Sequence, residues 1–377
     1  MGRSFVEYGA VAARAALADA GLQWRDIGSI VGADTVRGGY PGYVAGDVRE
    51  GARLAGGPGC ERVRSVRVRA QAINTARAQI LSGLADVVLV VGADAAPKGF
   101  FRPAGGDRPD DPDWLRFRFS ARPIRRTSGC TRVGGWPCTG HTGGLRAGQG
   151  EERRSGRAQP YARYRKPVTA EEVAASAVVA DPLRLLDICA TSDGGAALVL
   201  AGHGVRTSAR VSDPVRIRAV STVTPRYPNT VLDLPDIATD SAVAVQPAAE
   251  TFRESIARAA YQEAGIGPDD LSFAEVYDLS TALELQWYED LGLCGQGDAA
   301  KLLQEGSTSL GGRIPVNASG GLASFGEAVP AQAIAQVCEL TCQLRGVAGD
   351  RQVTGARVGI AANQGLFGHG SAVVAVR

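Results

Sequence analysis

The chain has 377 residues, 45% apolar and 21% charged, which is enough to bury a sizeable core and too apolar for global disorder. A formal net charge of +2 gives no general case for nucleic acid, and no run approaches 18 apolar residues, which argues against a membrane span. The seven cysteines (Cys60, Cys130, Cys138, Cys189, Cys294, Cys338 and Cys342) are scattered, odd in number and form no CxxC pair, so neither a disulfide framework nor a metal site is expected, and a reducing cytoplasm is the expected compartment.

Taken in order, residues 1–21 read as an amphipathic, alanine-rich helix stopped by Gly21, without the uninterrupted apolar stretch of a secretory signal. A polar turn and a short apolar strand follow, up to Asp34. The run GGPGCERVRSVRVR at 56–69 is oddly basic. Residues 70–94 form a helix leading into the strand ADVVLVVGAD, apolar without alternation, as a strand buried on both faces should be. An insertion of roughly 97–200 comes next. Within it, 120–158 carries nine Gly and eight Arg among 39 residues, a charge of +6 and no helical or strand period. That stretch reads as a disordered basic insertion or as the product of a shifted reading frame, and limited proteolysis is expected to cut there first. GGAALVLAGHG then resumes the sheet, and VRIRAVSTVT at 215–224 opens a second half.

The two halves echo each other. ALADAGLQWRDIGSIVGAD (16–34) and AYQEAGIGPDDLSFAEVYD (260–278) align at a constant offset of 244, so that Ala20, Gly21, Asp26 and Asp34 meet Ala264, Gly265, Asp270 and Asp278. The helix–strand pair at 70–94 is answered by a helix at 328–346 and a strand at 356–365. The expected fold is therefore α/β, built from two duplicated halves, 1–214 and 215–377, with βαβ crossovers and parallel strands. Ligands of such bodies sit at the carboxyl ends of strands, which selects four loops: 66–72, 276–281, 316–330 and 363–371. The last two are rich in glycine, which permits close backbone approach to a ligand.

PVNASGGL, the stretch EVYD followed by ELQWYEDLGLCGQG, and the terminal NQGLFGHGSAVV resemble the thiolase superfamily, in the branch of sterol-carrier and lipid-transfer thiolase-like proteins. PKGFFRPAGG, RPDDPDWLRFR, DPLRLLDICATSDGGAALVL, SFGEAVPAQAI and QLRGVAGDRQV are similar to actinobacterial steroid side-chain aldolases. The resemblance implies a thiolase-like fold of layered helices and mixed sheets, a homodimer, no cofactor beyond the CoA of an acyl-CoA substrate, and a DUF35 partner with an OB fold. Residue by residue, the family's nucleophilic Cys falls on Val66, its loop His on Glu327, its second Cys on Asn363, and its His-Asp pair on Tyr277-Asp278.

Those replacements disfavour a covalent acyl-enzyme and suit retro-aldol cleavage, which needs a base for a hydroxyl and donors for a thioester enolate. Tyr277, Glu327, His369 and Asp278 are the candidate catalytic residues. Asp278 is equally a turn or cap residue, since Asp34 matches it in the other half. Asn317, Gly320, Gly321, Asn363, Gly365 and Gly368 are candidate substrate-binding residues. Retro-aldol cleavage of a steroid or lipid acyl-CoA is the favoured function. The alternatives are a thiolase-type acyltransferase and a non-catalytic acyl-CoA-binding or scaffold subunit.

Overall fold

The computed structural model describes residues 4–33, 63–66, 70–95, 155–180, 183–189, 191–205, 214–224, 251–365 and 369–377. The first half contains α1 (Phe5–Ala20), β1 (Ser29–Ala33), β2 (Val63–Val66), α2 (Gln71–Leu81), β3 (Val87–Asp94), α3 (Ala170–Ala175), β4 (Val178–Ala180), β5 (Leu183–Arg184) and β6 (Gly194–Ala201). The second contains β7 (Arg216–Val223), α4 (Phe252–Ala264), β8 (Phe273–Val276), α5 (Thr281–Asp290), α6 (Ala299–Gln304), α7 (Gly321–Phe325), α8 (Val329–Arg345), β9 (Val358–Gly365) and β10 (His369–Val376).

Each half builds one four-stranded sheet, in the orders β2-β1-β3-β6 and β7-β10-β9-β8. The crossovers expected from helix–strand alternation make β1, β2 and β3 parallel, and β8 and β9 parallel. β6 at one sheet edge and β10 inside the other sheet depart from that pattern, as the mixed sheets of the family resemblance imply. β6 runs antiparallel to β3, and β10 runs antiparallel to both β9 and β7, so both sheets are mixed.

The offset of 244 is written into the geometry. Both helices start at reciprocal capping boxes, Ser4–Glu7 for α1 and Thr251–Glu254 for α4, which stand 247 residues apart because α1 is three residues longer, so the offset of 244 holds from the helix ends onward. Gly21 and Gly265 end the two helices in the left-handed region, at φ 64° and 67°. One turn later the Gln23 N–H donates to Asp26 at 2.7 Å, and the Gly267 N–H donates to Asp270 at 2.8 Å. Matching sequence thus produces matching hydrogen bonds, and both turns lead into the first strand of the parallel set.

Packing explains the continuous apolar run of β3. Val87, Leu89 and Val91 face α1, while Val88 and Val90 face the middle of the molecule with α2 and α8. Fully burying each such side chain stabilises the fold by about 1.5–3 kcal/mol. In the second sheet Ala361, Val373 and Ala375 turn toward the same middle layer, and Ile360, Ala362 and Val374 turn outward with Ile256 of α4. The order is α1, sheet, α2 with α8, sheet, α4. Gly92 of β3 lies so close to Pro330 at the head of α8 that a Cβ there would overlap its carbonyl.

Residues 120–154 of the anomalous stretch, and residues 56–62 and 67–69 of the basic run, lie outside the described residues. The last four residues of the anomalous stretch are among the described ones: 155–157 form a helical turn, and Gly156 is buried against Ser324 and Gly320. Composition could not reveal that boundary, because the contacts that order it come from a loop some 160 residues away. Of the described cysteines, Cys189 is buried, whereas Cys294, Cys338 and Cys342 are half-buried thiols outside any disulfide. Burial raises the Cys294 and Cys338 thiols to about 12, away from nucleophilic chemistry at neutral pH. Cys60, Cys130 and Cys138 lie outside the described residues. No helix among the described residues is long and apolar enough to cross a membrane.

Candidate functional site

The site forms where β8 ends. The strand stops at Val276, and the next residue, Tyr277, is 1% exposed. The Tyr277 carbonyl accepts from the Trp287 indole N–H at 3.1 Å, which ties this turn to α5. Ser280 caps that helix through a bond from the Leu283 N–H. The loop carrying Tyr277 is therefore held from both ends before any ligand arrives.

Opposite it, the glycine-rich loop at 316–321 is pinned to β8. The Asn317 N–H donates to the Ala274 carbonyl, and its Oδ1 accepts from the Val276 N–H, both at 2.8 Å. Asn317 adopts φ 52°, a left-handed conformation that asparagine tolerates better than most residues. Glu275 accepts from the Ser319 hydroxyl at 2.6 Å and the Ser319 N–H at 3.1 Å. Its carboxyl is pushed up to about 8, first by complete burial, then by the Glu339 charge, with a smaller push from Asp278, while the two Ser319 bonds pull it down. Asp278 accepts from the Leu322 and Ala323 N–H groups at 2.9 and 3.1 Å, at the start of α7.

The loop then delivers Glu327 to Tyr277. The phenol donates to Glu327 Oε1 at 2.7 Å, and both side chains are buried. The two acid/base candidates that the sequence placed in separate loops, 50 residues apart, share one hydrogen bond. A third segment closes over them: the Ser192 N–H donates to the Glu327 carbonyl at 3.0 Å, and the Cys189 N–H donates to the Leu279 carbonyl at 3.0 Å. The insertion thus returns as a strap across both loops, bridging Ile188 to Ser280 and Thr191 to Glu327.

The other candidates divide. Asp278 is 3% exposed and serves as a backbone anchor, the cap alternative read from its match with Asp34. Asn317, Gly320 and Gly321 are buried packing elements of the loop. A Cβ at Gly321 would strike the Asp278 carboxylate, and one at Gly320 would lie 2.5 Å from Gly156 Cα. Asn363 lies one register step beyond the pair Val276–Ala362, beside Tyr277 across the parallel strands. Gly365 pairs with His369 at the end of the β9–β10 ladder. The His369 side chain and Gly368 lie outside the described residues. Val66 ends β2 opposite Ala33.

Sequence reasoning missed three contributors. Glu275 sits one strand period before Tyr277 and holds the loop. Gln336 on α8 donates to the Val276 carbonyl at 3.0 Å. The backbone of Ile188, Cys189, Thr191 and Ser192 straps the site, and its stretch was visible only as a family-like motif. No group of three or more metal-ligating side chains occurs among the described residues. The arrangement can therefore move a proton between a phenol and a carboxylate in a dry environment.

Residues 239–376 match the family described as thiolase C-terminal domain-like. Sterol carrier protein 2 of Homo sapiens is 37% identical over 210 residues, covering 55% of this chain and 37% of that protein. The 17-hydroxy-3-oxo-4-pregnene-20-carboxyl-CoA lyase of Mycobacterium tuberculosis is 32% identical over 177 residues, covering 44% of this chain and 40% of that protein. These matches span less than half the length of either relative. The solved Ltp2-ChsH2(DUF35) aldolase has the same fold, with a TM-score of 0.77 at 21% identity, covering 100% of this chain and 94% of that one. With its duplicated halves, mixed sheets and NASGG loop, the chain has a thiolase-like fold, its residues 239–376 match the thiolase C-terminal domain-like family, and its sequence is similar to the thiolases of the sterol carrier protein 2 branch.

Proposed function

We propose that this protein cleaves a carbon–carbon bond of a 3-hydroxyacyl-CoA, of steroid or related lipid type, by a retro-aldol reaction. The observation that carries the reading is the buried Tyr277–Glu327 hydrogen bond of 2.7 Å. The likeness to a steroid acyl-CoA lyase supports the substrate class.

In this mechanism the substrate hydroxyl gives its proton to the Tyr277 oxygen as Tyr277 passes its own to Glu327. The bond between the hydroxyl carbon and the α-carbon breaks. The oxygen's electron pair forms the ketone, and the broken bond's pair forms the thioester enolate. The proton held on Glu327 returns through Tyr277 to the α-carbon and releases the shortened acyl-CoA. Asp278 and Glu275 keep the loop in place throughout and exchange no proton with the substrate. A DUF35 partner is proposed to complete the active assembly.

The test is incubation with a 17-hydroxy steroid acyl-CoA and a DUF35 partner, with mass detection of the ketone. Tyr277→Phe and Glu327→Gln should each lower kcat about 10²- to 10⁴-fold with KM little changed, the range expected for losing an acid/base group. Full activity in Glu327→Gln would overturn the mechanism. Binding without any cleavage by the native chain would leave the acyl-CoA-binder reading in its place.

A further inference from the structure

Asn363 is 3% exposed, near the end of β9 on the face turned toward α8. Its amide has a defined orientation. The Val276 carbonyl can only accept, so the amide bound to it must be Gln336 Nε2, at 3.0 Å. Gln336 therefore shows its Oε1 to Asn363, which must answer with Nδ2, as it does. That leaves Asn363 Oδ1 buried, with no hydrogen-bond partner among the described residues. A bare buried carbonyl costs about 1–3 kcal/mol, so a native site that presents one to a ligand-binding edge is expected to use it on a donor. What fills it must be a donor, and Asn363 lies beside Tyr277 at the carboxyl end of the parallel strands.

We infer that Asn363 Oδ1 accepts a hydrogen bond from the first amide N–H of the substrate's pantetheine arm. This rests on the proposed acyl-CoA reading and extends it to the recognition of the carrier. An acyl-CoA offers few donors near its reacting carbons. The hydroxyl proton is committed to Tyr277, and the thioester carbonyl and sulfur donate nothing. The first pantetheine amide, two carbons beyond the sulfur, is the nearest remaining N–H. An asparagine here reads that group without titrating, and so without competing for the proton that Tyr277 and Glu327 carry. Asn363 is thereby a specificity residue for amide-bearing thioesters. Gln336 is the positioning residue that turns its oxygen toward the ligand.

The test pairs a residue change with a ligand change. Two uncleavable probes are prepared: an acyl pantetheine thioether, and the same molecule with its first amide replaced by an ester. Binding to the 377-residue chain is read by calorimetry. The native protein should bind the ester probe about tenfold more weakly, the loss expected for one neutral hydrogen bond. In Asn363→Ala, and in the milder Asn363→Ser, that difference should fall to near onefold. Equal binding of both probes by the native protein overturns the inference without any variant having to fold. An undiminished tenfold preference in a folded variant overturns it as well. The outcome is separable from the retro-aldol reading: cleavage can fail while the pairwise loss appears, and cleavage can proceed while it does not.

Discussion

Among single residues, Glu275 makes the sharpest prediction outside the reacting pair. Its carboxyl titrates near 8 when folded, against 4.5 for the ordinary group. Between those values the folded chain keeps a proton that the unfolded chain releases, so stability is greatest below about 4.5 and declines as pH rises through about 8. Glu275→Gln keeps an acceptor for Ser319 and removes the titration. Its Tm should vary less with pH across that window, measured by thermal melts in a matched buffer series. An unchanged slope would assign the pH dependence to other groups. At this scale the sequence was legible wherever a side chain replaced a family residue at a fixed place, as with Tyr277 and Glu327. It was silent on Glu275, which looks like any alternating strand residue until Ser319 is brought against it.

Among elements, α8 is the one that joins distant parts. It buries a row of polar residues, Gln332, Gln336, Glu339 and Gln343, along one side. Gln336 reaches toward the Tyr277 turn, while Glu339 pairs with Arg351 at 3.0 Å and accepts from Gln159 at 3.2 Å. Arg351 also donates to the Ala158 carbonyl at 3.2 Å, which docks the 155–159 segment on the same helix. Arg351→Met strands Glu339 as a buried charge and should cost about 3–5 kcal/mol in urea unfolding. Gly156→Ala presses on Ser324 and should cost about 1–3 kcal/mol. Adding Ser324→Gly should recover part of that loss, and the catalytic rate with it; a strictly additive double variant would show that the two positions do not press on each other. The helix and its limits were readable from sequence, because Pro330 and Gly346 mark them and the apolar spacing is regular. Its polar row was not, since burial of a glutamine is decided by the partner segments, and those lie far away in the chain.

For the whole molecule, the duplication was the most legible feature, because repeated helix-stop glycines and the aspartates that accept from the turn before them leave a constant spacing that survives divergence. The mixed strand directions followed from the family resemblance and not from the apolar pattern, and the strap formed by Ile188, Cys189, Thr191 and Ser192 followed from neither. An antiparallel edge strand and a parallel one present the same apolar run, and a strap is defined only by what it crosses. The middle layer carries a further consequence. Gly92 of the first half rests on the backbone of Pro330 in the second, and Val88 and Val90 share one cluster with Ile334 and Leu340. Cut at residue 214, each fragment would present a wide oily surface to water where its sibling had been. The fragments expressed separately should therefore precipitate, and expressed together should reassemble, as read by co-purification of a tagged fragment. The ancestral repeat has become a record of descent and no longer a module that can live alone.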